Sequence, residues 1–324
     1  MSKLRRLIAL LGLAGLLLTA LALPAAGRGP KKQEEWNTVA KRDLRVALHC
    51  QPGALRPHTT PVLLVSGTAV DGSELWTTGF QDALAAAGHK SCYLDFPEHA
   101  LGDMQVSAEY VAYAIRRMSR GNSRQIGVYG WSQGGVLPRL ALTIWPDLRH
   151  EVTDVVALAG PQHGSLAGLP CGSFPCKPAL WQRSVGSNLL HALNSQGDET
   201  PGPTDWTTVR TASDDTVIPV DTAVLEGATN ILVQDVCPRR RTTHAQIPFD
   251  SVSFAVLLDA LKNPGPADPN RLPGGVCNDL VAPGLDAAQV DADFAALLPT
   301  IINRFVGQEV ASVPAEPPVR RFAR

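Results

Sequence analysis

Ser132 stands in the run Gly130-Trp131-Ser132-Gln133-Gly134, and an acid pair, Asp214-Asp215, and then His244 follow it along the chain. A serine hydroxyl becomes a strong nucleophile when an imidazole removes its proton and a carboxylate holds the imidazole in the right tautomer. The apolar residues 126–129 read as a buried strand and residues 134–145 as a helix, so Ser132 falls on the sharp turn between them. Gly130 and Gly134 have a mechanical reason, because a side chain at either place would collide with strand or helix. The helix N-terminus beneath the serine adds a positive field where an oxyanion would form. The five-residue pattern alone is only suggestive. The competing reading is a glycine-rich turn with a solvated serine, and the rest of the chain decides between them.

Four histidines follow Ser132: His150, His163, His191 and His244. His150 sits at the far end of a helix, His191 lies in a helical patch without a strand end, and His163 has no later-strand acid before it. Only His244 has a strand-end acid between itself and the serine, in the chain order serine, acid, histidine. Asp214 and Asp215 compete for the acid role, since only one of two neighbours can point inward; Asp214 is preferred. The oxyanion donors are assigned to the N–H of Gln133, directly after the nucleophile, and to Thr68 in the glycine-bearing loop that follows an early strand.

These groups need a scaffold that brings strand ends together. Residues 61–66, 91–96, 126–129, 154–159, 206–212 and 230–236 read as strands. Helical stretches at 74–87, 103–118, 134–145, 251–262 and 286–305 alternate with them, and a helical patch lies at 181–193. That alternation argues an α/β protein with a mostly parallel sheet covered on both faces, and functional groups gather beyond the carboxyl ends of such strands. Pro138, early in the helix after Ser132, should cost a hydrogen bond there or kink it.

Among 324 residues, 44% are hydrophobic, and a net charge of −1 leaves no electrostatic footprint for nucleic acid. Residues 1–26 read as a signal peptide: Lys3, Arg5 and Arg6 precede an apolar run from Leu7 to Leu23 and small residues at 22, 25 and 26. An uncleaved membrane anchor is the alternative. Export would place the six cysteines in an oxidising compartment and the protein outside the cell. Cys171 and Cys176, five apart, suggest a small local loop closure; a zinc site there lacks a second pair of ligands. Residues 27–48 read as a loose N-terminal arm, 49–306 as the catalytic domain, and the Pro- and Arg-bearing residues 307–324 as a disordered tail.

Several separated motifs in the right order resemble the Candida antarctica lipase B-like secreted lipases. They are residues 61–68 (PVLLVSGT), residues 103–110 (DMQVSAEY), Trp131-Ser132-Gln133-Gly134-Gly135, and Thr211-Ala212-Ser213-Asp214-Asp215-Thr216-Val217. The resemblance covers residues 50–305. It implies an α/β-hydrolase fold and hydrolysis of triacylglycerols or other carboxylic esters without a cofactor. No metal is expected, and the protein is expected to be a monomer with transient contact with a lipid interface. It carries the nucleophile to Ser132, the acid to Asp214, the base to His244 and the oxyanion donors to Thr68 and Gln133. It also implies disulfides Cys50–Cys92 and Cys237–Cys277. Departures are the absence of a cysteine after Cys277, Thr216 in place of an apolar pocket residue, Gln162 in place of an aspartate, and Gln182-Arg183 in place of two glutamines, which should make the rim more cationic. An acyltransferase or polyesterase would use the same groups. A hydrolase-fold binding module without catalysis would not need all of them.

Overall fold

A computed structural model of the protein describes residues 36–56, 58–119, 125–167, 171 and 173–322. The signal peptide read over 1–26 and the beginning of the arm lie outside them. Seven strands form one sheet: β1 (Leu48–Cys50), β2 (Val62–Val65), β3 (Ser91–Leu94), β4 (Ile126–Trp131), β5 (Val152–Leu158), β6 (Asp205–Arg210) and β7 (Thr229–Leu232). Their spatial order is β1-β3-β2-β4-β5-β6-β7, with every neighbouring pair parallel except β1 against β3. The helices are α1 (Lys41–Val46), α2 (Gly72–Leu75), α3 (Phe80–Ala86), α4 (Met104–Ser119), α5 (Gln133–Ile144), α6 (Pro178–Gln182), α7 (Asn188–Asn194), α8 (Val233–Val236), α9 (Ser251–Lys262) and α10 (Ala287–Val306).

The central strands are unbroken apolar runs because both faces are covered. Every residue of β2 and of β4 is buried. Side chains alternate across the sheet: Leu63 and Val65 join a core with α1, α4, α5 and α7, while Val62 and Leu64 join one with α2, α3, α9 and α10. Trp76, Phe80 and Leu84 share the second core, as their four-residue spacing predicts. Phe80 stacks on Tyr129 at 5.2 Å, and the Tyr129 hydroxyl donates to the Pro248 carbonyl at 2.9 Å, so this cluster also anchors the segment that leads into α9.

Several expectations need correction. The single helix read over 74–87 is two, because Gly79 turns left-handed (φ 103°) between α2 and α3. The patch at 181–193 is likewise split into α6 and α7, and the last strand ends at Leu232, where α8 begins. The arm is not loose from Trp36 onward: Thr38 and Val39 donate to the buried carboxylate of Glu109, and β1 completes the sheet edge. Nor is the tail disordered over its described residues. Glu316 accepts from the N–H groups of Asn188 and Leu189 at the start of α7, and the Arg320 guanidinium meets Glu109 at 2.9 Å while lying over the Trp36 ring. Composition reads poorly here because each anchor is a contact far along the chain, with no local period to betray it. Pro138 neither ends nor unseats α5, which runs through it to Ile144. The carbonyl it leaves without a helical partner is that of Gly134, which lies against Gly130.

Asp154, on β5, is buried directly opposite Asp205 of β6. Burial, with Asp205 adding to it, pushes its carboxyl up to about 7. A raised carboxyl means that the folded chain keeps a proton the unfolded chain releases, so stability falls as pH rises from about 4 to about 7 and stays penalised above. Asp154→Asn mimics the protonated form. Its melting temperature should exceed wild type by several degrees at pH 8, with the gain shrinking at pH 5; a gain that grew on acidification would contradict this assignment.

Candidate active site

Ser132 joins β4 to α5 with φ 57° and ψ −127°, a conformation that a non-glycine residue keeps only when its surroundings impose it. Two bonds impose it: Ser132 N–H donates to Leu158 O at 2.8 Å, and Gly135 N–H donates to Ser132 O at 2.8 Å. The two glycines make the turn sterically possible. A Cβ on Gly134 would lie 2.6 Å from Ser66 O, and one on Gly130 would drive into the Gly134 carbonyl.

His244 Nε2 lies 3.0 Å from Ser132 Oγ, and His244 Nδ1 lies 3.0 Å from Asp214 Oδ2. A carboxylate can only accept, so Nδ1 carries the proton and Nε2 is left to accept from the serine. All three side chains are nearly shut off from water, the Asp214 side chain at 2% exposure. The other oxygen of Asp214 accepts the N–H groups of Thr216 and Val217 at 2.9 and 2.8 Å, which fixes the carboxylate from behind. Asp215 points outward, exposed, toward the Thr216 hydroxyl at 3.3 Å. Of the other histidines, His150 and His191 are exposed, and His163 faces Val224 O and Glu199.

Thr68 and Gln133 also meet. The Thr68 hydroxyl donates to Gln133 Oε1 at 2.7 Å, and Gln133 Nε2 donates to Ala100 O at 3.1 Å. With the hydroxyl proton so engaged, the donor that Thr68 can offer a new oxyanion is its backbone N–H. Gln133 opens α5, where the first N–H groups have no partner within the helix. A Cβ on Gly67 would come within 2.8 Å of Ser132 Cβ and 3.3 Å of Ser132 Oγ, which puts the loop directly against the serine side chain.

Other residues hold the histidine loop and leave weaker marks in the sequence. Trp131 Nε1 donates to His244 O at 2.8 Å, and Thr211 Oγ1 donates to Thr242 O at 2.6 Å. The three successive arginines before Thr242 look solvated, yet Arg240 is buried: it pairs with Asp250 at 3.1 Å and donates to Leu280 O and Asp279 O. Asp250 also accepts the Thr242 hydroxyl. The disulfide Cys237–Cys277 closes the same region, and Cys50–Cys92 and Cys171–Cys176 are formed as well. Neither residue of the pair expected to make the rim more cationic presents itself as an exposed cation. Gln182 is fully buried and braces the start of α4 through Met104 N and Asp103, whereas burial without an acidic neighbour pulls Arg183 down to about 10. Gln162, also fully buried, donates to Gly135 O at 2.9 Å and so supports the turn.

No family model matches the sequence. Over an alignment of 331 positions the chain is 29% identical to lipase B of Pseudozyma antarctica, taking in 98% of this chain and 95% of that one. Aspergillus fumigatus lipase B matches with a TM-score of 0.79 at 28% identity, over 87% of this chain and 71% of that one. Bacillus licheniformis lipase BlEst2, in its propeptide form, aligns with a TM-score of 0.51 at 19% identity over 65% of this chain and 52% of that one, a likeness of fold alone. The similarity to lipase B-like proteins implied by the motifs thus extends over nearly the whole chain, and the fold is that of the α/β-hydrolases.

The two acids give a sharp test of the geometry. Labelling of Ser132 by a fluorophosphonate should slow roughly ten-thousandfold in Asp214→Asn, the scale on which a wrong imidazole tautomer disables such a serine. Asp215→Asn should label within about twofold of wild type, as an exposed group whose one bond is a solvent-facing contact with its neighbour Thr216 usually allows. Equal effects in the two variants would break the assignment.

Proposed function

We propose that this lipase/esterase-type α/β-hydrolase is a secreted carboxylic ester hydrolase in which Ser132, His244 and Asp214 cleave acyl esters, triacylglycerols among them, through an acyl-enzyme. The observation that carries the reading is the unbroken relay of two 3.0 Å contacts from Asp214 through His244 to Ser132 at a strained turn. The lipase B relatives supply the reaction class.

In this mechanism Ser132 Oγ attacks the ester carbonyl as His244 Nε2 takes its proton, and Asp214 stabilises the imidazolium that results. The carbonyl oxygen becomes an oxyanion beside the N–H groups of Thr68 and Gln133; losing one such donor typically costs about 2.7 to 4 kcal/mol of transition-state stabilisation. His244 then protonates the departing alcohol, and water, activated by the same imidazole, releases the acid and frees Ser132. These steps need no metal or cofactor.

Exposed apolar side chains favour a water-insoluble ester over a small polar one. Leu166, Val185 and Ile218 stand at 67%, 47% and 41% exposure on segments tied together near the acid loop, where Leu166 N–H donates to Ile218 O and Val185 N–H to Ser165 O. Leu298, Ile302 and Val306, four residues apart, form an exposed stripe on α10. Such surfaces suit transient contact with lipid. Three disulfides accord with an oxidising, extracellular setting, and the enzyme is read as a monomer.

Hydrolysis of p-nitrophenyl esters of graded chain length tests both the mechanism and the substrate. Ser132→Ala should lower kcat by roughly a millionfold, to background, and wild type should prefer long acyl chains presented in emulsion. Activity surviving in Ser132→Ala would defeat the mechanism; a preference for acetate over every longer chain would defeat the lipid substrate.

A further inference from the structure

Between the loop that carries Thr68 and the C-terminal helix lies a small ionic cluster outside the proton relay. Arg304, near the end of α10, donates through Nη1 to Ala69 O at 3.0 Å and to Glu74 Oε2 at 2.6 Å. Through Nη2 it donates to Glu74 Oε1 at 2.9 Å and reaches Asp71 Oδ2 at 3.5 Å. Glu74 Oε2 in turn accepts the Asp71 N–H at 2.9 Å. His99 Nδ1 lies 2.8 Å from Asp71 Oδ2, and its Nε2 lies 3.4 Å from Glu309.

The geometry at Ala69 gives this cluster a purpose. Ala69 is fully buried and left-handed (φ 65°), a backbone that an L-residue other than glycine keeps only when it is over-determined. Both of its peptide groups are tied. Its N–H donates to His99 O at 2.8 Å, and its carbonyl is taken by Arg304. Thr68 immediately precedes it, so the orientation of the Thr68 backbone depends on whether Ala69 keeps this conformation. Arg304 also neutralises two carboxylates that would otherwise repel each other within one short turn. Burial, the largest single influence, would raise the Glu74 carboxyl, but the Arg304 hydrogen bond, the Asp71 N–H and the charges of Arg304 and His99 together outweigh it and leave the group below its ordinary range.

We infer that Arg304 is a positioning residue for the oxyanion donor Thr68, acting from α10 through Ala69, Asp71 and Glu74, so that the C-terminal helix sets how well the tetrahedral intermediate is held. The inference rests on the serine-hydrolase reading given above. A fork of donors is needed, because one guanidinium must satisfy a carbonyl and a bidentate carboxylate together, which a lysine ammonium cannot reproduce.

The test compares Arg304→Met, Arg304→Lys and Glu74→Gln in hydrolysis of a soluble p-nitrophenyl ester, alongside inhibition by a trifluoromethyl ketone whose adduct carries an oxyanion. Misplacing a group by about 1 Å can cost about a hundredfold. Arg304→Met should therefore lose about ten- to a hundredfold in kcat with KM within about threefold, and should weaken the ketone in parallel. Arg304→Lys should fall between it and wild type. Glu74→Gln, the milder change, should lose several-fold in kcat and decides the matter if Arg304→Met does not fold. A lowered melting temperature with kcat and ketone affinity unchanged would make the cluster purely structural and overturn the inference. Ser132→Ala, run beside them, separates the two levels: if it hydrolyses the ester, the premise fails; if it is inert while the Arg304 variants keep full kcat, only the inference fails.

Discussion

The backbone at Ser132 is the constraint from which the remaining architecture follows. A serine held at positive φ costs conformational energy, and the molecule meets that cost with backbone bonds to β5 and within the first turn of α5. The bond to β5 exists because three parallel strands lie in register, with Trp131 of β4 opposite Leu158 of β5 and Gly130 opposite Val65 of β2. Side chains are excluded at 130 and 134 for the same reason: the helix and β2 approach more closely than a Cβ permits. Sheet order, strand register and glycine placement therefore all serve one peptide unit.

Around that unit the polar groups are arranged so that each has little freedom left. The carboxylate of Asp214 is held by two backbone N–H groups and the imidazole by the carboxylate, while the histidine's own carbonyl is held by Trp131. Buried polar groups in such a chain are worth more as orientation than as stability, because their desolvation offsets much of their attraction. Arg240 and Asp250 act in the same way further from the serine, where a buried pair fixes the segment on either side of His244.

Much of this was legible in the residues, and the features that were not share a cause. The turn at Ser132, the parallel strands, the helix over 251–262 and the inward acid at 214 follow from apolar period, strand-end position and chain order, all of which are local. The splitting of the 74–87 helix at Gly79 was hidden because the apolar spacing continues across the break. The ordered tail, the buried Arg240 and the Arg304 cluster could not be read at all. Each depends on partners 10 to more than 200 residues away, and a charged side chain looks the same in sequence whether it faces water or a buried carboxylate. Gln182 shows the opposite error: the resemblance put the pair Gln182-Arg183 at a rim, whereas the Gln182 amide is used to brace α4.

The tail has one more consequence. Trp36 packs edge-on to Trp145, stacks on Phe322 at 6.4 Å and donates from its indole to Arg321 O at 2.8 Å. The first and last stretches of the folded unit thus finish beside each other, in one aromatic cluster against the α5 side of the sheet. Domains whose ends lie close together tolerate being joined there and reopened at an exposed loop, and the described residues 36–322 have that property. The sheet and the strained turn at its centre should then survive a rearranged order of the described elements, because neither depends on a break between residues 36 and 322.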